Sequence, residues 1–519
     1  MGIAIRPYSL LLVSLAFSWR VYAYIKARRA NPRRLPYPPG PKGYPIIGSL
    51  FNAPIFSPWL KYDKWFKIYG DMIYFEILGQ SVLVLGSPQR TSDLFEKRAT
   101  TYSSRPRMIM VMEMLGWSYC FAAFPYGAWW RRHYRLFHHH FSADKLVKFQ
   151  PTLLRTTRSF LRRLLSNPDD FLDHTRLLFL SSVMEITYGD PVEDPHDPLL
   201  ANVEVVLSAV TEALIPGRFL VDVIPALKYV PEWLPGAGWK RRANYVKKVN
   251  ELVSRRPFEI VKEKLARGTA APSATASMIE DIEDKPGVNR AEEEEVVKNA
   301  AATAFAGGSD TTVSMVGAFF LAMGMYPDVQ QKAQQELDAV LSGRLPDFSD
   351  KPSLPYIRAI VKELLRWHLV TPLALPHMTS QEDEYDGFYI PKGTIVIGNS
   401  WSMLHDPEVF DEPMRFMPER YLKDGQPNSE VRDPWNFAFG YGRRVCPGRH
   451  MGDASLFITI ASVLSVFDIK PPLDDEGRPA TLGAEFTPYY LSYPVPFQVR
   501  IIPRSKKAGS LIRDTELME

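Results

Sequence analysis

The sequence predicts a mostly α-helical α+β protein, with small β-sheets within one large helical domain and a membrane anchor before it. Three observations predict it. An apolar run lies near the N-terminus, a long apolar helix follows residue 295, and a cysteine in a glycine-rich loop precedes another apolar helix. The 519 residues are 46% hydrophobic and 23% charged, which is ordinary globular composition.

Charge and cysteine content exclude two classes of protein. A formal net charge of +4 is too small to indicate a nucleic-acid partner. Two cysteines in a chain of this length exclude a disulfide framework and are typical of a reducing compartment. We therefore expect most of the chain to lie in the cytosol, with no nucleic acid bound.

The first 30 residues predict a single N-terminal membrane anchor. Tyr8 to Ile25 is apolar apart from Arg20, and it is slightly shorter than the roughly 20 residues that span a bilayer. Basic residues follow at once and place that side in the cytosol: Lys26, Arg28, Arg29, Arg33 and Arg34. An interfacial helix is the alternative interpretation of the same run.

Proline density and the alternation of apolar and polar residues predict three non-helical segments. Residues 31–45 contain closely spaced prolines, which cannot continue a helix and make a semi-rigid spacer. Met72–Ile77 and Ser81–Leu85 predict a β-hairpin. Tyr385–Trp401 predicts a further strand-rich region that turns at Pro391–Gly393.

Five other segments are assigned from periodicity and polarity. Ala201–Val230, Pro355–Trp367 and Gly452–Phe467 are predicted to be helical. Ala270–Asp284 is polar and is expected to be a surface loop. The tail beyond Pro503 is polar and is expected to be disordered.

The longest predicted helix runs from about Val296 to Tyr326, after the acidic run Glu292–Glu295 and before Pro327. It is apolar on nearly all sides and should cross the middle of the protein. Gly307 and Gly308 at its centre each cost about 1 kcal/mol relative to alanine. They favour either a close helix–helix contact or the close approach of a flat ligand, with an acid and a hydroxyl beside it.

Cys446 stands in the loop 439–448, which contains three glycines and two arginines. Backbone N–H groups in such a loop, and at the start of the next helix, stabilise negative charge. We therefore expect a thiolate at Cys446, of the kind that holds haem iron. The alternative is a buried structural cysteine beside a turn.

The loop resembles the haem-binding signature of the cytochrome P-450 family, Phe-x-x-Gly-x-Arg-x-Cys-x-Gly. The five fixed positions are Phe439, Gly442, Arg444, Cys446 and Gly448. The resemblance implies the family's helical fold, with Cys446 as the axial iron ligand and Arg444 paired with a haem propionate.

A second segment resembles the same family. Ala306–Thr312 is similar to its oxygen-activating motif, which implies that Asp310 and Thr311 deliver protons to dioxygen. The resemblance also implies that Glu363 and Arg366 form a structural network with Arg420.

Two haem-binding positions are less regular. The family usually shows Trp-x-x-x-Arg in the helix near residue 130, but here Trp130 is followed at that spacing by Tyr134. Arg131 and Arg135 are candidates for the replacement cation. They are equally compatible with a basic surface for an acidic redox partner or with an ordinary solvated helix face. His377 lies where the family often places a propionate donor, and it is equally compatible with an ordinary buried histidine.

The implied function is a haem-thiolate monooxygenase similar to fungal hydroxylases of secondary metabolites. The implied domains are the anchor 1–30, a hinge 31–45, the catalytic domain 46–505 and a tail 506–519. Haem and O2 are the implied cofactor and co-substrate. Electrons would come from a separate NADPH–cytochrome P-450 reductase at the endoplasmic reticulum membrane, since no Gly-x-Gly-x-x-Gly follows a strand and no flavin domain is fused.

A lipophilic substrate is the default, because the candidate pocket residues are apolar: Ala302, Ala306, Leu373, Leu375 and Phe486. A terpenoid, a polyketide and an indole compound remain open. Two alternatives are a haem-thiolate isomerase or dehydratase, and a non-catalytic membrane-anchored binding protein. Asp310 and Thr311 argue against the first, and the intact Cys446 loop argues against the second.

Overall fold

The computed structural model describes residues 31–45, 47–215, 217–283, 287 and 289–518, together with the isolated positions 14, 18 and 21. The predicted anchor therefore lies almost entirely outside the described residues. Within the described part of the chain, no single helix is long and apolar enough to cross a membrane.

Eighteen α-helices are recorded among the described residues. In chain order, α1 to α9 are Pro58–Tyr69, Pro88–Thr91, Ala99–Tyr102, Ala128–Phe141, Gln150–Ser166, Phe171–Tyr188, Pro198–Ala213, Gly238–Ser254 and Arg256–Ala266. Helices α10 to α18 are Ala274–Glu283, Arg290–Gly308, Thr311–Met325, Pro327–Leu341, Pro355–Trp367, Ser400–Leu404, Trp435–Ala438, Arg449–Val466 and Lys506–Asp514.

The strands are short. Strands β1 to β10 are Met72–Ile77, Gln80–Leu85, His377–Met378, Asp383–Tyr385, Phe388–Ile390, Ile395–Gly398, Leu422–Lys423, Gln426–Pro427, Phe467–Lys470 and Arg500–Pro503. This helix-rich architecture with small sheets confirms that part of the predicted fold class; the predicted membrane anchor is not shown within the described residues.

The chain divides into two compact units. The first comprises Met1–Pro106, Leu373–Met403 and Tyr441–Arg443, and the second comprises Arg107–Pro372, Leu404–Gly440 and Arg444–Glu519.

The first unit is built on a four-stranded sheet in the order β1-β2-β6-β3. Strands β1 and β2 form the predicted antiparallel hairpin, and β2 pairs with β6 in parallel. The proline-rich segment runs beside this sheet, because Pro39 O accepts a hydrogen bond from Tyr74 N at 2.8 Å and Tyr37 stacks on Tyr74.

The second unit has its core around α12 and α17. Residues 316 and 318–323 of α12 are at most 1% exposed, and residues 457–464 of α17 are buried on every side. A helix that is apolar all round requires partners all round. Both helices therefore lie inside the helical unit, as the sequence predicts.

The predicted helix 296–326 is interrupted, which corrects the expectation of one continuous helix. Helix α11 ends at Gly308 and α12 begins at Thr311, with Ser309 and Asp310 in a turn. The N-terminus of α11 has acidic residues in its first turn, Glu292 and Glu293, as the sequence predicts. The Asn289 side chain caps this helix by accepting a hydrogen bond from Glu292 N.

Three other expectations are wrong. The segment 270–284 contains helix α10, because Met278 and Ile282 recur at i and i+4 and are buried with Ile279. Helix α7 ends at Ala213 instead of continuing to residue 230, and two short 3₁₀ helices follow it.

The tail is also ordered. Ser505 caps α18 by accepting from Ala508 N at 3.0 Å, and Ala508 and Ile512 are buried on one face of that helix. The tail's polar composition conceals this i, i+4 pattern. The amphipathic spacing, rather than the composition, decides that it forms a helix.

A buried ion pair ties α14 to the segment 404–420. Glu363 and Arg366 have fully buried side chains and form two N–H···O bonds at 2.7 and 2.8 Å. Arg366 also donates to the carbonyl oxygens of Leu404, Pro413 and Arg415. Every charge in this pair has a partner, as a buried pair requires.

Arg420 completes the network. Its Nε lies 3.4 Å from Glu363 Oε1, and the same oxygen accepts from Met417 N at 2.8 Å. The resemblance-based network is therefore present as a set of contacts. It fixes the path of the chain that leads toward the Cys446 loop.

We predict that Glu363→Gln lowers the free energy of unfolding by about 3–5 kcal/mol, because it leaves the buried Arg366 charge uncompensated. Glu259→Gln is the control, since Glu259 pairs with Arg255 on an exposed surface at 3.5 Å and should change stability by at most about 1 kcal/mol. Denaturant unfolding of both variants measures the difference. Equal losses would contradict the assigned role of the network.

Candidate active site

The Cys446 loop is closed by backbone contacts on both sides of the cysteine. Cys446 N donates to Phe439 O at 2.7 Å. Gly448 is the N-cap of α17, so the sulfur lies at the N-terminal end of that helix. The phenylalanine, cysteine and second glycine of the motif thus form one folded loop in the second unit.

The Cys446 thiol lies in a mixed electrostatic environment. Burial raises the pKa of the thiol, while the backbone N–H groups of Gly448 and Arg449 and the Arg449 guanidinium lower it. Burial is the largest cause and the net direction is upward. The loop N–H groups and Arg449 act in the expected direction, but burial outweighs them. A thiolate at Cys446 stays a prediction, and a metal ion that replaces the thiol proton would favour it.

The same side chain is accessible. Cys446 is exposed even though burial dominates its pKa. The two observations fit only if the sulfur faces an open space inside the protein rather than the outer surface. Cys120, the other cysteine, is half-buried.

Gly442 belongs to the first unit, where the backbone requires glycine. Its φ is +54°, and a Cβ placed there would lie 2.1 Å from Phe95 O. The neighbouring Tyr441 is held by a 2.6 Å hydrogen bond to Ser400 and stacks on Phe95. Glycine is therefore required at position 442 because the backbone of Phe95 approaches it too closely for a side chain.

Arg444 is buried in the second unit against helix α4. It donates to Phe124 O at 3.0 Å and to Ala122 O at 2.8 Å, and its guanidinium lies 4.6 Å from the Trp130 ring centroid. The propionate role of Arg444 stays a prediction. Its described contacts fix the guanidinium beside Trp130.

Trp130 carries an unsatisfied donor. Its side chain is 5% exposed, and its indole Nε1 is buried with no hydrogen-bond partner among the described residues. A buried N–H without a partner costs about 1–3 kcal/mol. Such a group in a native site indicates a missing acceptor.

Tyr134, in the position where an arginine is usual, stacks on Trp130 with ring centroids 5.0 Å apart. Burial raises the pKa of Tyr134, and the positive charge of Arg449 lowers it. Arg449 therefore lies near both Tyr134 and Cys446. The sequence reasoning missed Arg449, although its place three residues after the cysteine was a signal.

The two proposed replacement cations lie elsewhere on α4. Arg131 and Arg135 are exposed. Arg131 lies over the Tyr126 ring, and Arg135 Nε donates to Arg131 O at 3.3 Å. Neither is recorded in contact with Trp130 or Tyr134, so the structure brings neither into that stack in the described part of the chain.

His377 is buried in the first unit. Its Nδ1 lies 2.6 Å from Tyr102 O, and since a carbonyl only accepts, Nδ1 carries the proton. Nε2 of the neutral ring is then an acceptor, so donation to a carboxylate requires the imidazolium.

The buried Arg105, which the sequence reasoning did not single out, donates to the carbonyl oxygens of Leu375 and Pro376 next to His377. The aromatic stretch that contains Arg105 gave only the signal of a core. A buried cation therefore adjoins the predicted propionate donor within this unit.

The break between α11 and α12 produces the second chemical feature. The Thr311 hydroxyl donates to Gly307 O at 2.8 Å and so satisfies a carbonyl at the interruption. Gly307 is exposed, with nothing within 4 Å of an added Cβ, although Phe305 and Ser309 on either side of it are buried. Helix α11 therefore presents an open face of bare backbone next to its C-terminal end.

Asp310 lies at the same break and is held by a tyrosine. The Tyr493 hydroxyl donates to Asp310 Oδ2. Burial raises the pKa of Asp310, and this hydrogen bond partly offsets the rise. A carboxyl group with a raised pKa is suited to exchanging protons near neutral pH.

The candidate pocket residues are divided between the two units. Ala302 is buried and Ala306 half-buried on α11, near the open face. Phe486 stacks on His368 and meets Trp367 edge-on at the end of α14. Leu373 and Leu375 belong to the first unit, where Leu373 is 4% exposed. Their contact with substrate stays a prediction.

Comparison with known proteins gives a consistent result. The cytochrome P-450 family model matches residues 38–489. Cytochrome P-450 monooxygenase COX1 of Coprinopsis cinerea is 43% identical over 509 residues, covering 97% of this chain and 98% of that protein. COX2 of the same fungus is 45% identical over 95% of this chain and 94% of its own.

Tryptamine 4-monooxygenase of Psilocybe cyanescens is 40% identical over 504 residues, which cover 96% of this chain and 98% of that protein. Identity of this level over nearly the full length of both chains is far above what a shared fold alone requires. With the family match over most of its length, the chain belongs to the cytochrome P-450 family and is a haem-dependent monooxygenase that uses dioxygen.

Proposed function

We propose that this protein is a membrane-associated monooxygenase that inserts one oxygen atom of O2 into a lipophilic small molecule of fungal secondary metabolism. The observation that carries the proposal is the accessible but deeply placed Cys446 thiol at the start of α17. The match to full-length fungal monooxygenases supports it.

The described residues fit a haem. The buried Trp130 N–H has no acceptor in the described part of the chain, Arg444 adds a cation beside it, and the exposed Gly307 leaves room for a flat group. Cys446 would bind the iron, and Trp130 and Arg444 would bind a propionate. When bound, the haem supplies the oxygen-activating chemistry, and the thiolate ligand favours O–O cleavage.

The chain's own residues then handle protons. Asp310 is assigned the exchange of a proton close to the break in the helix, because burial raises the pKa of its carboxyl. Thr311 fixes the opened helix through its bond to Gly307 O and presents a hydroxyl at the open face. We assign Asp310 and Thr311 to proton delivery on the substrate side of the site.

The substrate is proposed to be apolar. Ala302 and Ala306 on α11 offer small apolar side chains near the open face. Apolar lining with few polar groups is typical of lipophilic ligand sites. The name of one relative, tryptamine 4-monooxygenase, states that it acts on tryptamine. The apolar lining here is equally compatible with a terpenoid or a polyketide.

The electron donor is proposed to be a separate NADPH-dependent reductase. The exposed Arg131 and Arg135 of α4 offer positive charge to an acidic partner. Arg449 extends positive charge next to the sulfur.

Membrane attachment is proposed from two features. The apolar run Tyr8 to Ile25 with its following basic residues is suited to an anchor that leaves the catalytic domain in the cytosol. The segment after α7 adds large exposed apolar side chains, which include Tyr229 at 76% and Trp233 at 79% exposure. Aromatic side chains of this kind favour the membrane–water interface.

We predict that Cys446→Ala abolishes the strongly red-shifted absorption band of the reduced protein with carbon monoxide, because no thiolate remains to bind iron. Cys120→Ala is the matched control and should keep the band, because Cys120 lies near Arg444 but outside the loop 439–448 that holds the proposed iron ligand. Absorption spectra of both purified variants provide the measurement. A preserved band in Cys446→Ala would rule out the assigned ligand.

We predict that Thr311→Ala keeps the haem spectrum but lowers product formed per NADPH by about tenfold or more, a typical scale for loss of a positioned proton donor. Thr312→Ala, the neighbouring substitution, should retain most of the coupling. Product, hydrogen peroxide and NADPH are counted with a reductase and a screened substrate. Full coupling in Thr311→Ala would count against the role of this hydroxyl.

We predict that a polarity-sensitive fluorophore on a Trp233→Cys variant reports a less polar environment when the full-length protein enters lipid nanodiscs from detergent-free buffer. The exposed Asp475→Cys variant is the control and should report no change. An identical response at both positions would argue that the segment after α7 does not contact lipid.

A further inference from the structure

The Asp310 carboxyl is held by groups that the family resemblance does not assign. Its Oδ2 accepts from the Tyr493 hydroxyl, and the Thr211 hydroxyl lies within hydrogen-bonding reach of the same tyrosine. Thr211 belongs to α7, and Tyr493 belongs to the irregular segment before β10. The three side chains form a continuous line within the second unit.

The segment that carries Tyr493 is fixed in place. Thr487 N donates to Tyr493 O at 2.7 Å and Tyr493 N donates to Thr487 Oγ1 at 3.0 Å. The Ser314 hydroxyl, one turn beyond Asp310 on α12, donates to Ser492 O at 2.8 Å. The position of Tyr493 is thus fixed by hydrogen bonds within its own turn and by a hydrogen bond from α12 to the preceding residue.

The outer end of the line approaches charged surface groups. The charges of Arg176 on α6 and Glu204 on α7 both act on Asp310, Arg176 lowering its pKa and Glu204 raising it. Arg176 and Glu204 are exposed. Two solvent-exposed charged side chains therefore lie near enough to act on the Asp310 carboxyl.

We propose that Tyr493 is the positioning residue for Asp310 and that Tyr493 and Thr211 form the supply side of its proton path from solvent. The proposal rests on the proposed proton role of Asp310 and names the groups that refill it. Tyr493 also fixes which carboxyl oxygen faces outward, so that the other is left to face the open helix.

The proton transfers balance. Asp310 gives its proton inward, and the O–H bond of Tyr493 breaks as an O–H bond forms on Asp310 Oδ2. The Tyr493 oxygen takes the Thr211 hydroxyl proton, and Thr211 regains one from a hydronium ion, which leaves water. Thr211 also donates to Leu207 O at 2.9 Å, and since a hydroxyl has one proton, its rotation selects between the two partners.

A concerted transfer suits the electrostatics. Burial and the neighbouring Asp310 charge raise the pKa of Tyr493 far above its usual value, so an isolated phenolate is not populated. The Tyr493 oxygen must therefore gain a proton as it loses one.

The test compares Tyr493→Phe with the wild-type protein and with Asp310→Asn. The first readout is the infrared band of the protonated Asp310 carboxyl, identified as the band missing in Asp310→Asn and followed against pH. Because the Tyr493 hydrogen bond lowers the pKa of Asp310, we expect its removal to move the titration midpoint upward. An unchanged midpoint would overturn the positioning role.

The second readout is product formed per NADPH. We expect Tyr493→Phe to bind haem normally and to divert several-fold more reducing equivalents to hydrogen peroxide. Tyr188→Phe is the matched control, because the buried Tyr188 hydroxyl has no hydrogen-bond partner in the described chain, and it should change neither readout. Undiminished coupling in Tyr493→Phe would overturn the supply path.

Thr211→Val tests the outer step even where Tyr493→Phe fails to fold. It removes the second hydroxyl and leaves the Tyr493–Asp310 bond, so coupling should fall while the Asp310 midpoint stays near its wild-type value. Undiminished coupling in this variant would remove Thr211 from the path. Full coupling in Asp310→Asn would instead overturn the proton role proposed for Asp310 itself. The Asp310 titration midpoint in Tyr493→Phe separates the two failures, because it reports the positioning of Asp310 by Tyr493 independently of coupling.

Discussion

A sulfur that must carry negative charge inside a protein is the constraint on which the rest of this structure depends. Burial raises the pKa of the Cys446 thiol, and two backbone N–H groups and the Arg449 guanidinium only partly offset it. The loop is therefore prepared for a thiolate without making one unaided. Iron bound by Cys446, as proposed, would supply the remaining stabilisation, because coordination replaces the thiol proton.

The break between α11 and α12 meets a different structural requirement, which is an open stretch of backbone inside the helical unit. A continuous helix through the core would bury its backbone completely. The interruption at Ser309 and Asp310 leaves Gly307 exposed, and the Thr311 hydroxyl donates a hydrogen bond to Gly307 O. The cost is a broken run of hydrogen bonds, and the Thr311 hydroxyl recovers one of them. The same break gives Asp310 a place near the centre of the unit, where burial raises the pKa of its carboxyl.

Buried charge is handled in two ways within the second unit. Glu363 and Arg366 are fully buried and satisfied by each other and by backbone groups, which suits a fixed structural element. Asp310 has one neutral hydroxyl donor from Tyr493 instead of a directly bonded cation among the described residues. A neutral partner leaves the carboxyl free to take up and release a proton, while a paired cation would hold it ionised.

The sequence by itself determined the fold class, the Cys446 loop and the position of the Asp310–Thr311 pair, because each is a local pattern with a fixed spacing. It also determined the helices 355–367 and 449–466 within a few residues, since their apolar periodicity is strong. It misassigned α10 and α18, where sparse apolar residues on one face become buried only against the rest of the unit. Only the tertiary structure decided that Arg449 lies beside Cys446 and Tyr134 and that Tyr493 reaches Asp310 across 183 residues of sequence. It also decided that the buried Trp130 N–H finds no partner among the described residues. These are contacts between distant segments, and the folded chain sets their geometry.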